Sequence, residues 1–388
     1  MLKIELITYH RASNYGSVLQ TYATQRTIDK IGYSCEVVDY EPYSQHYWYK
    51  WGWFPNVFRI RFSKTAFRLM VKKLLMNTLH PVNTFRRERN FCAFRNKYLS
   101  LTKYFSSKKQ LISNKWEKED VFVTGSDQTW NRHCGEHVYQ RLDDFDVYML
   151  SFAPSENKRI GFSISTGDMR EEELEQYKDL INRYSHISVR EERGKEYIQK
   201  IFKKESVELL LDPTLLLNSD EYLSLTSKER IVKGDYVVLY RLNGKMNLWL
   251  DAIREFVKSK GFKIAVLCPG RIRRLPKDVL NLNYSGPSEF INIMYHASYT
   301  FVDSFHGLCF SIKFHKDFYS FTPKAKNGIG DVRSTNLLAE LGLLDRHISD
   351  YEEINTRSFK EIDYKKVDEK IDQESKHAME WLKNAIEN

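Results

Sequence analysis

Between Ala297 and Phe314 two apolar runs enclose a compact polar knot, Asp303-Ser304-Phe305-His306-Gly307. Tyr299 to Val302 has the β-branched and aromatic content of a buried strand, and Leu308, Phe310, Ser311, Ile312 and Phe314 continue at helical spacing. A strand therefore turns into a helix at His306. In an α/β protein this places the polar residues at the carboxyl end of a strand, where the free N–H groups of a helix start favour an anion. The plainer alternative is an ordinary strand-to-helix turn capped by Asp303 or Ser304.

Two further strand ends carry residues suited to ligands. Leu2 to Thr8 reads as a strand, followed by the polar loop Tyr9 to Gly16 and a helix with Val18, Leu19, Tyr22 and Ala23 on one face. Asn14, Gly16 and Ser17 sit where that helix begins, and Gly16 allows close backbone approach, although a cap beside a flexible glycine is the commoner use of such residues. Asp120 to Thr124 is a strand running into Gly125-Ser126-Asp127-Gln128-Thr129-Trp130-Asn131. There Asp127, Gln128 and Asn131 offer the acceptors and amides that bind sugar hydroxyls, with Trp130 as an apolar platform. A capped turn is again the bland alternative. His133, Cys134 and His137 lie close in sequence, but without a second cluster they make a poor metal site, and no metal is expected.

The elements that must position these residues alternate regularly. Strands are predicted at Ser34–Asp39, Arg159–Ser165, His186–Val189 and Glu208–Leu211, with helices at Glu171–Tyr184 and Glu192–Phe202. The theme repeats with strands at Tyr236–Tyr240, Lys263–Cys268, Thr300–Asp303 and Phe318–Phe321, and helices near Leu248–Lys258, Pro287–His296 and His306–Phe314. This is an α/β protein with two Rossmann-like doubly wound domains. A length of 388 residues suits two domains. We expect one over 1–215, interrupted near 44–115, a second over 216–350, and a helical segment 351–388 packing back across the junction. No G-x-G-x-x-G and no P-loop occurs at a strand end, so neither a dinucleotide nor ATP is signalled, and no cofactor is expected.

Charge is concentrated rather than spread. The net charge is +9, yet residues 41–110 hold 15 Lys and Arg against 2 Glu, leaving the remainder slightly acidic. Tyr47, Trp48, Tyr49, Trp51, Trp53 and Phe54 open this segment, and Phe67, Met70, Val71, Leu74, Leu75 and Leu79 keep helical spacing between Ser63 and His80, with Lys64, Arg68, Lys72 and Lys73 on other faces. A solvated face of a packed helix is one reading; an anionic membrane surface or an anionic polysaccharide is the other. Nucleic acid is not expected, since no zinc-finger spacing, RNP pattern or KH loop accompanies the charge. Five scattered cysteines and the absence of a leader or a long apolar run point to a cytoplasmic protein, peripheral at the inner membrane face if that basic segment docks there.

Five motifs in order resemble the polysaccharide pyruvyl transferases from about residue 1 to 346: Asn14-Tyr15-Gly16-Ser17 with Leu19-Gln20, Gly125-Ser126-Asp127-Gln128 with Trp130-Asn131, Ser188-Val189-Arg190-Glu191, Leu211-Asp212-Pro213-Thr214 and Asp303-Ser304-Phe305-His306-Gly307. The resemblance implies a GT-B-like pair of domains facing a cleft. It also implies transfer of pyruvate from phosphoenolpyruvate to a sugar of a surface polysaccharide or its lipid-linked precursor, as a cyclic ketal, without a metal. His306 would then be the general acid and Arg190 a clamp on the donor's carboxylate or phosphate. Asn14, Gly16, Gln20, Asp127, Gln128 and Asn131 would hold the acceptor. Many members of that family read Arg-Leu-His where this chain has Ser304-Phe305-His306, so Ser304, the amides after Gly307, and Arg241 or Arg333 would have to bind the donor anion. Two other readings use the same residues: a GT-B glycosyltransferase taking a nucleotide sugar, and a non-catalytic module binding a glycan or a membrane surface.

Overall fold

Short runs such as Val121–Thr124, Tyr236–Tyr240 and Arg159–Ile164 are buried at every position, the pattern of strands in a parallel sheet covered on both faces. The computed structural model describes residues 2–42, 45, 71, 81–134, 142–203, 206–241, 246–268, 275–321 and 332–388. Apart from Val71, the basic helix expected over 63–80 lies outside the described residues, as do the aromatic cluster from Tyr47 to Phe54 and His137. Two units emerge, one of residues 1–216 with 374–388 and one of residues 217–373.

The first unit holds β1 (Lys3–Ile7), β2 (Ser34–Val37), β3 (Val121–Thr124), β4 (Arg159–Ile164), β5 (His186–Val189) and β6 (Glu208–Leu209) in one sheet of order β2-β1-β3-β4-β5-β6, with every pairing parallel. The chain runs outward from β1 to β2 and then returns to place β3 on the other side of β1. Right-handed crossovers thus put the connections that follow β1 and β3 on opposite faces of the sheet, and the order reverses between these two strands. The first helix, α1 (Tyr15–Lys30), is capped by the Asn14 side chain, which accepts from the Gly16 amide. It is buried on most sides, and α2 (Pro81–Tyr98) packs Phe91 and Phe94 against its Tyr15 and Tyr22. The helix predicted over Glu171–Tyr184 is instead two short ones, Glu171–Glu175 and Lys178–Ile181. The run breaks at Tyr177, whose ring packs edge-on against Phe145 at 5.3 Å, so a tertiary contact overrides a continuous helical pattern. Helix α3 (Glu192–Ile201) follows β5 as expected.

The second unit holds β7 (Tyr236–Tyr240), β8 (Lys263–Leu267), β9 (Val279–Asn281), β10 (Tyr299–Val302), β11 (Asp317–Phe321) and β12 (His347–Ile348) in the order β12-β11-β10-β7-β8-β9, again all parallel. Taken along the chain this is the doubly wound order 6-5-4-1-2-3, with the reversal between β7 and β10. Neither β9 nor β12 was expected: with three and two residues they are too short to show a periodicity. The helices are α4 (Met246–Lys258), α5 (Pro287–His296), α6 (Phe305–Lys313), α7 (Arg333–Glu340) and α8 (Tyr364–Glu387). Residues of α8 up to 373 belong to the second unit and those from 374 to the first. In the first unit Trp381 of α8 stacks on Phe162 at 6.3 Å, and Lys158 Nζ donates to the Ile386 carbonyl at 2.9 Å. Among the described residues no helix is long and apolar enough to cross a membrane.

Candidate active site

Each sheet gathers its polar residues at its own point of reversal. In the first unit the loops after β1 and β3 meet around Asp127, one of the non-glycine residues with positive φ, at 84°. Such backbone costs about 1–3 kcal/mol and persists only where its surroundings hold it. Here they do: Ser17 Oγ donates to Asp127 Oδ2 at 2.7 Å, the Gln128 amide donates to Oδ1 at 2.8 Å, and Arg190 Nη2 lies 3.5 Å from Oδ1. The Arg190 side chain is about 1 % exposed, and its Nη1 also pairs with Asp212 Oδ2. Asp212 accepts in turn from Ser126 Oγ at 2.8 Å and from the Thr214 amide and hydroxyl at 3.0 and 2.6 Å. The arginine expected to clamp a ligand anion is therefore engaged with two carboxylates of the protein. In a dry setting the one guanidinium offsets only one of the two carboxylate charges, and the other rests on the hydrogen bonds from Ser17, Ser126, Thr214 and the Gln128 amide.

Other expected acceptor residues divide by exposure. Gln20 is fully buried and its Nε2 donates to Thr8 Oγ1 at 2.7 Å and to the Ser17 carbonyl at 3.0 Å, so it braces the loop rather than facing a ligand. Trp130 is also a correction: at 0 % exposure it lies in the core, edge-on to Tyr184, with its indole N–H donating to the Tyr148 carbonyl. Its apolar bulk follows the sheet's demand for filling rather than a sugar's for a platform. Asn14 and Gly16 form the α1 cap, with Asn14 half-buried. Asn131 Nδ2 donates to Gln128 Oε1 at 2.6 Å, and Gly167 passes so close that a Cβ there would stand 2.2 Å from that same nitrogen. Asp127 and half-buried Gln128 are thus held together beside the start of α1.

A buried cluster behind that loop escaped sequence reasoning. His10 Nε2 lies 2.8 Å from Asp39 Oδ1, and Arg11 bonds both Asp39 oxygens at 2.6 Å. Burial alone would raise the Asp39 carboxyl, but hydrogen bonds from His10 and Arg11 outweigh it and hold the group well below the usual carboxylate range. Burial also pushes the His10 imidazole below its ordinary value, against the pull of Asp39. The cluster fixes the loop that leads to Asn14. Its only sequence signal was two basic residues directly after a strand.

In the second unit the carboxyl ends of β7 and β10 supply Arg241 and Asp303, whose Nε and Oδ2 stand 3.6 Å apart across the point of reversal. Arg241 is also held by two aromatic faces, Trp249 and Phe321, each ring centroid 4.7 Å from its guanidinium carbon. Ser304 is the N-cap of α6, accepting from the Gly307 amide at 3.4 Å, so both residues have a structural use. Gly307 also allows close packing, since a Cβ there would meet the Tyr240 ring at 2.7 Å. His306 occupies the first turn of α6 and is about 6 % exposed, and Arg333 at the start of α7 lies over the Phe305 ring at 5.5 Å. Cys268 and Asn283, not expected, close the neighbouring strand ends, with Cys268 Sγ donating to the Arg241 carbonyl at 2.9 Å. A histidine, a charged pair and a second arginine thus collect where a doubly wound sheet binds ligands.

The polysaccharide pyruvyl transferase family model matches residues 14–324, which takes in every motif above. The chain belongs to that family. No curated relative matches it. Among solved structures it is similar to the UDP-GlcNAc 2-epimerase of Neisseria meningitidis, at 11% identity over 98% of this chain and 99% of that one, with a TM-score of 0.52. It is also similar to the UDP-GlcNAc 2-epimerase of Methanocaldococcus jannaschii, at 12% identity over 82% and 83% of the two chains and a TM-score of 0.45, and to a heptosyltransferase of E. coli, at 12% over 96% and 100% with 0.39. The first of these likenesses carries the fold: this pyruvyl transferase family member is GT-B-like, with two Rossmann-like units.

Proposed function

We propose that the protein transfers pyruvate from phosphoenolpyruvate onto two hydroxyls of one sugar in a surface polysaccharide or its lipid-linked precursor, forming a cyclic ketal. Family membership supports the reaction class, and the observation that carries the site is His306 in the first turn of α6 at the reversal point of the second sheet. His306 protonates the donor's methylene carbon, which becomes the methyl group of pyruvate. The adjacent carbon gains cationic character and one sugar hydroxyl adds to it. The bond from that carbon to the phosphate oxygen then breaks, and the second hydroxyl closes the ketal. The two hydroxyls release two protons; the methyl carbon has taken one, and the departing phosphate takes the other.

Ser304, Gly307, Arg241 and Arg333 are the donor group in this reading, with Arg333 the cation that replaces the arginine absent beside His306. Asp127, with Gln128, Asn131, Asn14 and Gly16, receives the acceptor, and Asp127 accepts a hydrogen bond from one of its hydroxyls. Arg190 acts as a positioning residue that aims Asp127. The work is done in the cytoplasm, at the membrane face where a lipid-linked acceptor would be found.

Incubation with phosphoenolpyruvate and candidate saccharides, following phosphate release, tests the reading. His306→Ala should abolish release with little loss of stability, and Asp127→Asn should weaken acceptor use more than donor binding. Release of a nucleoside diphosphate from a nucleotide sugar instead would establish glycosyl transfer. Binding of saccharide without turnover of either donor would leave a glycan-binding module.

A further inference from the structure

The opposite end of the second sheet's strands carries a cationic recess unrelated to His306. Arg230, Tyr295, His296, Lys313 and Lys316 line a cavity of about 570 Å³ beside the amino ends of β7, β10 and β11. His306 lies in the first turn of α6 and Lys313 ends it, seven residues later, a rise of about 10 Å along the helix. The recess is thus separate from the strand ends proposed for the reaction.

Its charges are not balanced from within. Burial lowers the Lys316 ammonium below its ordinary value, with repulsion from Arg230 next. Burial likewise lowers the His296 imidazole, followed by repulsion from Arg230 and Lys316. Asp368 pairs with His315 at 3.0 Å, and Asp368, Asp372 and Glu221 act on Lys313. Among the described residues no carboxylate pairs with Arg230, His296 or Lys316: Arg230 donates to the Gly234 and His296 carbonyls at 3.1 and 3.2 Å, and Lys316 lies over the Tyr295 ring at 5.4 Å. The carbonyl ends of α5 and α6 each favour a nearby cation. Arg230 is exposed and Lys316 and His296 are half-buried, so water and the two helix ends meet part of this charge, and an anion in the recess would meet the rest.

We propose that this cavity binds a small, multiply charged phosphate compound from solution, through Arg230, Lys316 and His296. The guanidinium supplies paired donors to phosphate oxygens, the ammonium supplies further charge, and the neutral imidazole supplies an N–H donor. A recess of this volume suits a small solute rather than the plane of a bilayer.

Calorimetric titration of the full-length protein with inorganic pyrophosphate tests the assignment. The wild type and His306→Ala should bind one equivalent alike. Lys316→Gln should bind about tenfold more weakly, Lys316→Arg should recover, and neither should change phosphate release from phosphoenolpyruvate. Equal binding by Lys316→Gln and the wild type, loss of binding in His306→Ala, or no uptake at all would each overturn the proposal. So would binding to anionic phospholipid vesicles without binding to pyrophosphate.

Discussion

Gly307→Ala tests how far the position of His306 depends on close packing behind it. A Cβ at Gly307 would stand 2.7 Å from Tyr240 Cδ1, 3.1 Å from its Cε1 and 3.2 Å from Val302 Cβ, where ordinary contact begins at 3.4 Å. The start of α6 must therefore recede from β7 by about 0.7 Å, the difference between 3.4 and 2.7 Å. Overpacking of this kind costs about 1–3 kcal/mol, against a gain of up to about 1 kcal/mol from alanine's helix propensity. The net expectation is a loss of about 0–2 kcal/mol, read by urea unfolding. Activity should suffer more than stability, because His306 is the preceding residue and displacements approaching 1 Å lower rates by about ten- to a hundredfold. Phosphate release at varied phosphoenolpyruvate measures kcat/KM, and Tyr240→Leu in the Gly307→Ala background should restore part of it by opening the space. An alanine variant with unchanged kcat/KM would refute the reasoning, since α6 would then tolerate the shift without cost to its histidine.

Arg190→Gln leaves the Asp127 and Asp212 carboxylates buried beside one another, so urea unfolding should report a loss of about 3–5 kcal/mol; a variant as stable as the wild type that has lost only donor binding would return the guanidinium to the ligand. Burial raises the Glu5 carboxyl to about 7 despite its contact with Lys3 at 3.0 Å. The unfolded chain ionises near the ordinary value of 4.5 and the folded chain near 7, so stability should fall as pH rises between them, and Glu5→Gln should abolish that slope and be more stable at pH 8 by up to about 3 kcal/mol. A flat pH profile in the wild type would count against it. For the basic segment, co-sedimentation with vesicles should grow with anionic lipid, fall with salt and vanish when Arg68, Lys72 and Lys73 become Gln, each cation near the surface contributing about 1 kcal/mol; no binding at low salt would remove the membrane proposal and leave pyruvyl transfer untouched.

The sequence by itself determined the local architecture. Val121–Thr124, His186–Val189 and Tyr236–Tyr240 are strands, and Pro287–His296 is a helix, because four to ten residues of apolar spacing suffice to show a periodicity. It also placed the polar knots at strand ends, and the order of five short motifs was enough to indicate the family. What those knots do to one another was decided by tertiary structure. Arg190 meets Asp127 across 63 residues and Asp212 across 22, Ser17 meets Asp127 across 110, and Arg241 faces Asp303 only because β7 and β10 are neighbours at a reversal of strand order. No periodicity carries strand order, since each strand reads alike wherever it is placed in the sheet. Burial explains the remaining differences: Trp130 and Gln20 look like ligand-binding residues in a loop, and only the fold shows that one fills the core and the other braces the turn after β1. The sequence named the groups capable of chemistry, and the order of the strands determined which of them stand together.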